Sequence, residues 1–132
     1  MQMTQSIAFH SYKGGIGKIT IACNLAAMLT TKGYNVSLLD LNVYAPSFHA
    51  YFERTPGKWI NDLLSQDAKI DDVMVDMTSV VGEYTAGPGK KVGKLWIGFS
   101  NPQKEEVYKL EGGGGKQTNG KLQLLRKFIQ LR

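Results

Sequence analysis

The apolar positions of the first forty residues follow two different spacings. Residues 6–12 form a short apolar run, and a glycine-rich turn follows over residues 13–20. Apolar residues then recur at helical spacing, at Ile21, Ala22, Leu25, Ala26 and Leu29. Gly33 predicts the end of that helix, and residues 35–41 are a second apolar run. The order of strand, loop, helix and strand predicts a βαβ unit, whose two strands lie parallel in one sheet.

A short helix and an ambiguous segment follow this unit. Thr55 and Pro56 predict an N-cap and the first turn of a helix. Its apolar face comprises Trp59, Ile60, Leu63 and Leu64. Residues 70–77 fit either a helix or a strand. We interpret the aspartates of this segment as a solvated acidic face rather than a catalytic carboxylate pair; they are Asp71, Asp72 and Asp76.

The remaining chain alternates between glycine-rich and apolar stretches. Residues 82–93 predict a loop, residues 95–99 a third strand and residues 103–111 a helix. Residues 112–115 are four glycines, typical of a flexible linker. Residues 121–132 form a basic amphipathic segment. We expect this segment to be a helix packed on the sheet and not a membrane-surface helix.

The composition indicates a single folded domain over residues 1–132. Apolar residues make up 42% of the chain and charged residues 20%, which excludes a disordered protein. No apolar run approaches the roughly 18 residues that cross a bilayer, and residues 1–6 do not resemble a signal peptide. Cys23 is the only cysteine. We interpret it as a buried thiol in a reducing cytoplasm.

The net charge of +5 is unevenly distributed. From Lys90 onward ten Lys or Arg stand against three Glu, whereas six stand against eight Asp or Glu before it. A modest basic excess is typical of a solvated surface, which is the interpretation we favour. Nonspecific DNA binding remains the alternative, and its affinity would fall steeply with salt.

Residues 12–18 read Tyr-Lys-Gly-Gly-Ile-Gly-Lys, between a predicted strand and a predicted helix. That context is the one a phosphate-binding loop requires. Gly14, Gly15 and Gly17 let the backbone turn tightly, so that successive N–H groups and the positive end of the helix dipole can meet an anion. Lys18 lies where a lysine reaches the β- and γ-phosphates of a nucleotide.

This loop resembles the deviant Walker A motif, Lys-Gly-Gly-X-Gly-Lys-Thr, of the ParA/MinD group of P-loop ATPases. A strict Walker A would have glycine at Tyr12. The resemblance extends over residues 38–47, which look like the second strand and switch I, and over residues 58–75 and 95–102, which look like an archaeal subgroup. The chain therefore resembles the N-terminal portion of such an ATPase.

The resemblance implies an α/β fold with three layers, α/β/α, and a mainly parallel sheet that is incomplete relative to the family. It implies ATP or ADP as the bound cofactor, with Mg²⁺. The implied nucleotide-binding residues are Lys13, Gly14, Gly15, Ile16, Gly17, Lys18, Ile19 and Thr20. Lys13 corresponds to the signature lysine that reaches the partner's phosphates in a dimer. Asp40 and Asn42 correspond to the catalytic switch I pair, with Asp40 near the metal, directly or through water.

Three departures from the family pattern concern the metal and the attacking water. Ile19 stands where the family has Thr or Ser as a Mg²⁺ ligand, and Thr20 points about 100° away on the helix. Asn42 replaces a second aspartate and lacks its charge. No Walker B strand ending in aspartate is visible before the chain ends. These losses affect the same step, so we expect hydrolysis to be weak or absent.

Three functional hypotheses follow from the resemblance. The first is a nucleotide-binding protein with impaired hydrolysis. The second is an active ATPase completed by another chain, and the third is a non-catalytic regulator that dimerises with a full-length ParA/MinD-like subunit. A homodimer or such a heterodimer is therefore expected. The process served, whether chromosome partitioning, cell-division placement or metal-cluster assembly, stays open because the fold hosts all of them.

Weaker signals have simpler interpretations. Residues 115–121 match the spacing of a Walker A, but no strand precedes them, so they predict a surface loop. His10 and His49 have no partner at metal-ligand spacing. We expect His10 to pack in the core and His49 to lie in a loop or short helix beside switch I. Trp59 and Trp96 are predicted core residues.

Overall fold

The computed structural model describes residues 3–15, 17–85 and 89–103. Within these ranges the helices are α1 (Lys18–Thr31), α2 (Phe48–Phe52), α3 (Ile60–Leu64), α4 (Ile70–Val73) and α5 (Thr78–Thr85). The strands are β1 (Val36–Leu39), β2 (Met74–Asp76) and β3 (Leu95–Gly98). No helix of the described ranges is long and apolar enough to cross a membrane.

The strands form a mixed three-stranded sheet in the order β1-β3-β2. β1 and β3 are parallel, with Val36 opposite Leu95 and Leu39 opposite Gly98. β2 is antiparallel to β3, with Met74 opposite Gly98. The parallel pair brings the carboxyl ends of β1 and β3 to the same edge of the sheet, where the polar residues that follow each strand meet.

Helices cover both faces of this sheet, as the alternation of strand side chains requires. Val36 and Leu38 of β1 contact one core, whereas Leu39 contacts the other. The first core, between the sheet and α1, α2 and α5, is built from Ala26, Phe48, Met77, Val81, Leu95, Ile97 and Phe99. The second, under α3 and α4, is built from Ile60, Leu63, Ala68 and Val73. The predicted α/β class with helices on both faces of the sheet is confirmed.

Helix α1 begins at Lys18, inside the turn predicted over residues 13–20, and ends as predicted. Gly33 follows Lys32, the C-cap residue, and has a φ of 95°, which suits glycine. Ala22 and Ala26 are buried as predicted, together with Thr30, whose hydroxyl donates to the Ala26 carbonyl at 2.8 Å. Ile21 is 58% exposed, because one residue step turns the helix by about 100° away from the sheet-facing stripe.

The strand predicted over residues 6–12 is wrong. These residues are irregular and exposed, with Ile7 62% and Phe9 37% accessible, and His10, predicted to pack in the core, is exposed with them. Both edges of β3 are occupied by β1 and β2. The outer edges of β1 and β2 pair with no described strand, and residues 6–12 do not occupy either of them, so this apolar run lacks the backbone partner that a strand needs. The predicted βαβ unit is not formed, and the parallel partner of β1 is β3 instead.

The start of α3 also differs from the prediction. Thr55 and Pro56 do not cap it; Trp59 is the N-cap residue. The carboxylate of Asp62 accepts the Trp59 N–H at 2.7 Å and thereby satisfies a donor at the helix start. Pro56 is buried instead.

The ambiguous residues 70–77 contain both predicted structures, since α4 passes directly into β2. The three aspartates of this segment are exposed, which confirms the solvated acidic face. Helix α5 extends to Thr85, into the predicted loop of residues 82–93, and β3 confirms the third strand.

The two tryptophans are half-buried rather than fully buried. Trp59 packs against the first core, and the ammonium group of Lys94 lies 5.9 Å from the ring centroid of Trp96. The structures predicted for residues 104–111, 112–115 and 121–132, and the loop of residues 115–121, lie outside the described residues.

Thr78 joins the end of β2, the start of α5 and the start of β3. Its hydroxyl donates to Asp76 Oδ1 at 2.6 Å and accepts the Leu95 N–H at 3.0 Å. We expect Thr78→Ala to lower the free energy of unfolding by about 1–2 kcal/mol, because the Leu95 N–H loses its acceptor and Asp76 loses the hydrogen bond from the hydroxyl. Urea denaturation measures the change, and Thr78→Ser, which keeps the hydroxyl, is the control.

The same contact lowers the pKa of Asp76, chiefly through hydrogen bonds from the Thr78 hydroxyl and N–H. The stability that this depressed pKa supplies is present above the ordinary value of 3.8 and is lost as the pH falls through the folded-state pKa. An NMR titration of Thr78→Ala should show the Asp76 pKa moving up toward its ordinary value. An unchanged Asp76 pKa would contradict the assigned role of the hydroxyl.

Candidate functional site

A cleft of about 260 Å³ lies between the glycine-rich loop and the segment that follows β1. One wall, the loop wall, comes from the glycine-rich loop and the first turn of α1. The other, the switch wall, comes from residues 42–51. The lining residues are Ser11, Gly14, Gly15, Gly17, Lys18, Ile19, Thr20, Asn42, Ala45, Ser47 and Tyr51. The cleft therefore brings together two segments about thirty residues apart, at the carboxyl end of β1.

The loop wall contains the start of α1, where no side chain caps the backbone amides. Gly15 and Gly17 have φ values of 74° and 85°, in the left-handed region that favours glycine. Gly17 is the N-cap of α1, its carbonyl accepts the Ile21 N–H at 3.0 Å, and no side chain caps the helix start. The first amides of α1 are therefore available to an anion, on which the positive end of the helix dipole also acts.

The structure brings most of the predicted site residues to this cleft. Those that line it are Gly14, Gly15, Gly17, Lys18, Ile19, Thr20 and Asn42. Lys13 is exposed and does not line it, and Asp40 is 4% exposed and lies behind the wall. Ile16 lies outside the described residues.

Four lining residues were not among the predicted site residues: Ser11, Ala45, Ser47 and Tyr51. Ala45 and Ser47 belong to the segment that resembles switch I, so the sequence signal for them existed. Tyr51 had no such signal. It reaches the cleft because helix α2 turns back over the end of β1.

Asp40 is directed toward backbone amides of its own loop. One carboxylate oxygen accepts the Asn42 N–H at 3.0 Å, and the other accepts the N–H groups of Ser47 and Phe48 at 3.3 and 3.5 Å. Burial raises the pKa of Asp40 above its ordinary value, although these three hydrogen bonds oppose the change. The Ser100 hydroxyl donates to the Asp40 carbonyl at 2.6 Å and ties the end of β1 to the end of β3.

The residues present do not fit a bound Mg²⁺. Magnesium prefers oxygen ligands, especially carboxylates. None of the described residues that line the cleft carries a carboxylate, and both oxygens of Asp40 are engaged by backbone amides. Ile19, in the position of the family's hydroxyl ligand, has no oxygen, and it is half-buried against the first core.

Cys23, predicted to be a buried thiol, is half-buried and packs against the first core. Burial raises the pKa of its thiol, and the negative charge of Asp40 raises it further. A raised pKa keeps the thiol protonated and unreactive. Within the described ranges, no group of three or more His, Cys, Asp or Glu side chains is placed to hold a metal ion.

Sequence comparison finds a family model and several relatives that match this chain. The family model described as ParA, NUBPL iron-transfer P-loop NTPase, matches residues 2–80. The chain is 54% identical over 46 residues to an iron-sulfur cluster carrier protein of Aquifex aeolicus, a stretch that covers 35% of this chain and 13% of that protein. It is 34% identical over 74 residues to the flagellum site-determining protein YlxH of Helicobacter pylori, covering 56% of this chain and 25% of that protein.

A third relative, an iron-sulfur cluster carrier protein of Pyrococcus furiosus, is 46% identical over 46 residues, which cover 35% of this chain and 16% of that protein. The chain therefore spans a quarter or less of the length of these three relatives. No solved structure matches it significantly.

Asp40 provides a test of how the cleft wall is held. We expect Asp40→Ala to lower the free energy of unfolding by about 1–3 kcal/mol, because three backbone amides lose their acceptor. Equilibrium urea denaturation measures this cost. Asp71→Ala, at an exposed aspartate of the acidic face, is the matched control and should have little effect.

The cost of Asp40→Ala should depend on pH with a defined sign. Because the folded-state pKa of Asp40 is raised, its contribution to stability is full below the ordinary value of 3.8 and declines as the pH rises through the folded-state pKa. The cost should therefore be larger near pH 4 than at pH 8. A cost that increases with pH would contradict the dominance of burial at this carboxylate.

Proposed function

Because the chain belongs to the ParA family of P-loop NTPases, we propose that it binds ATP or ADP by the phosphates in this cleft and hydrolyses ATP weakly or not at all. The observation that carries the proposal is the loop wall: uncapped amides at the start of α1, two left-handed glycines and Lys18 all border one cavity. Phosphate oxygens are hydrogen-bond acceptors that fit such a wall.

Charge supports an anionic ligand. Lys18 is the only charged side chain among the described residues of the lining. It is half-buried, so its interaction with a phosphate is screened less by solvent than that of a surface lysine. Thr20 adds a hydroxyl on the same wall.

Weak hydrolysis is proposed because the described lining of the cleft lacks groups that phosphoryl transfer needs. Phosphoryl transfer in P-loop enzymes depends on a metal and on a group that orients the attacking water. Ile19 supplies no metal ligand, Asn42 supplies an uncharged amide, and Asp40 is held by backbone amides. The proposed outcome is a protein that retains nucleotide without rapid turnover.

A dimer is proposed from the position of Lys13. Its side chain is exposed and lies outside its own cleft, as expected of a lysine that reaches a partner's phosphates. A homodimer or a heterodimer with a full-length ParA-like chain would use it equally. Restoration of hydrolysis by an equimolar ParA-like chain would favour the completed ATPase, whereas a heterodimer without nucleotide affinity would favour the regulator.

The relatives suggest metal-cluster assembly or flagellar placement as the process, more than chromosome partitioning or cell division. Iron–sulfur clusters are held mainly by cysteine thiolates, and this chain has one cysteine with a raised pKa. Cluster binding by this chain would therefore need thiolates from a partner. A cytoplasmic location is proposed, since that is where ATP and reduced thiols coexist.

Nucleotide binding is tested by calorimetry with ATP and with ADP. Lys18→Met should weaken binding by about tenfold to a hundredfold, because a charge-assisted contact to phosphate is lost. Lys32→Met removes the same charge at the opposite end of α1 and should bind like the wild type. Failure of the wild type to bind either nucleotide would refute the proposal.

Hydrolysis is tested separately by phosphate release from ATP. Release by the wild type should be slow and close to that of Lys18→Met. Rapid release that depends on Lys18 would show that the cleft is catalytic and would contradict the proposed impairment.

A further inference from the structure

We propose that this cleft recognises the metal-free polyphosphate of a nucleotide, with Tyr51 on the switch wall donating a hydrogen bond to phosphate oxygen. The inference rests on the proposed function, which places the phosphates in the cleft. It goes further in naming the ionic form of the ligand and a residue that neither the loop motif nor the family resemblance assigns.

The side chains that line the cleft are suited to phosphate oxygens. Asn42, Ser47 and Tyr51 line the wall opposite the loop, and their side chains carry an amide and two hydroxyls. These groups, like the ammonium group of Lys18, donate hydrogen bonds to phosphate oxygens. Their oxygens also accept hydrogen bonds, but Mg²⁺ prefers carboxylates, and none of the described residues that line the cleft carries one. The described lining therefore carries donors for phosphate on both walls and no anionic ligand for the metal.

The carboxylate of Asp40 is not free to turn into the cleft. Asp40 is buried, and its two oxygens hold the turn at Asn42 and the start of α2 at Ser47 and Phe48. Turning it into the cleft would leave three backbone donors without an acceptor, each at a substantial cost. The same hydrogen bonds that build the switch wall therefore exclude this carboxylate from metal binding.

Ile19 belongs to the first core as well as to the lining of the cleft. Its side chain is half-buried and packs against the first core, which also contains Ala26, Phe48 and Phe99. An apolar residue at this position removes an oxygen ligand and gains packing in its place. The loss of the hydroxyl is thus coupled to the stability of the loop wall.

Tyr51 lies on helix α2, which is anchored in the first core. Helix α2 is anchored by Phe48, which is buried, and by Phe52, whose ring lies 6.0 Å from that of Phe48 and 6.1 Å from that of Phe99. Tyr51 is 55% exposed and borders the cleft. Tyr51 therefore lines the cleft on a helix that is already packed against the first core.

The experiment is calorimetric titration of the full chain with ATP in EDTA and with ATP in excess Mg²⁺. Wild-type affinity in EDTA should equal or exceed that in Mg²⁺. Ile19→Thr, which restores the hydroxyl, should shift the preference toward the magnesium complex. Wild-type binding that is several-fold tighter with Mg²⁺ than in EDTA would overturn the inference and leave the proposed function intact.

Tyr51→Phe removes only the hydroxyl and should weaken binding in EDTA by about threefold to tenfold, the effect of one lost hydrogen bond. Tyr44→Phe is the matched control, since Tyr44 is also 55% exposed but does not border the cleft. Equal affinities for Tyr51→Phe and Tyr44→Phe would overturn the role of Tyr51. Absence of wild-type binding under both conditions would instead refute the proposed function itself.

Discussion

The buried carboxylate of Asp40 is the interaction on which the rest of the site depends. Its oxygens accept hydrogen bonds from the amides of Asn42, Ser47 and Phe48, so residues 42–48 are wrapped around the end of β1. Its carbonyl accepts from Ser100, which fixes the end of β1 against the end of β3. Burial of a charged group is unfavourable unless it is hydrogen-bonded, and here the backbone supplies the compensation. One side chain thereby positions a whole wall of the cleft.

The opposite wall is held by the same hydrophobic core. Ile19, at the start of α1, and Phe48, at the start of α2, both contact the cluster that contains Ile97 and Phe99 of the central strand region. Since both walls pack on shared residues, the width of the cleft is set by core packing. The cavity is consequently present before any ligand arrives, and less ordering is required on binding.

The parts of the fold that were predicted correctly are those in which local pattern and tertiary contacts agree. Helix α1 has helical periodicity and a glycine stop, and β1 and β3 are apolar runs that pair with each other in the sheet. Residues 6–12 have an equally apolar pattern, but a strand requires a neighbour, and sequence spacing does not reveal whether a run pairs with the sheet. The division of residues 70–77 into α4 and β2 likewise depends on pairing with β3.

The candidate site divides in the same way. Glycines and lysine at fixed spacing identified the loop wall, because a phosphate loop is a local structure. Tyr51 was not identified, since its place at the cleft arises from the path of residues 42–51 and not from a motif. The orientation of Asp40 was also hidden, because the groups that hold it are backbone amides, which every residue except proline carries.

Under the proposed function, these contacts separate phosphate binding from hydrolysis within one loop. Binding draws on backbone amides and a lysine, which change little when neighbouring side chains are replaced. Hydrolysis draws on an oxygen ligand beside the lysine and on a carboxylate at the end of β1. In this chain the first position packs in the core, and the second builds the switch wall. Ile19 stabilises the fold with an apolar side chain where a metal would need an oxygen, and Asp40 does so with carboxylate oxygens that a metal would need, so restoring a metal site would require weakening the walls of the cleft.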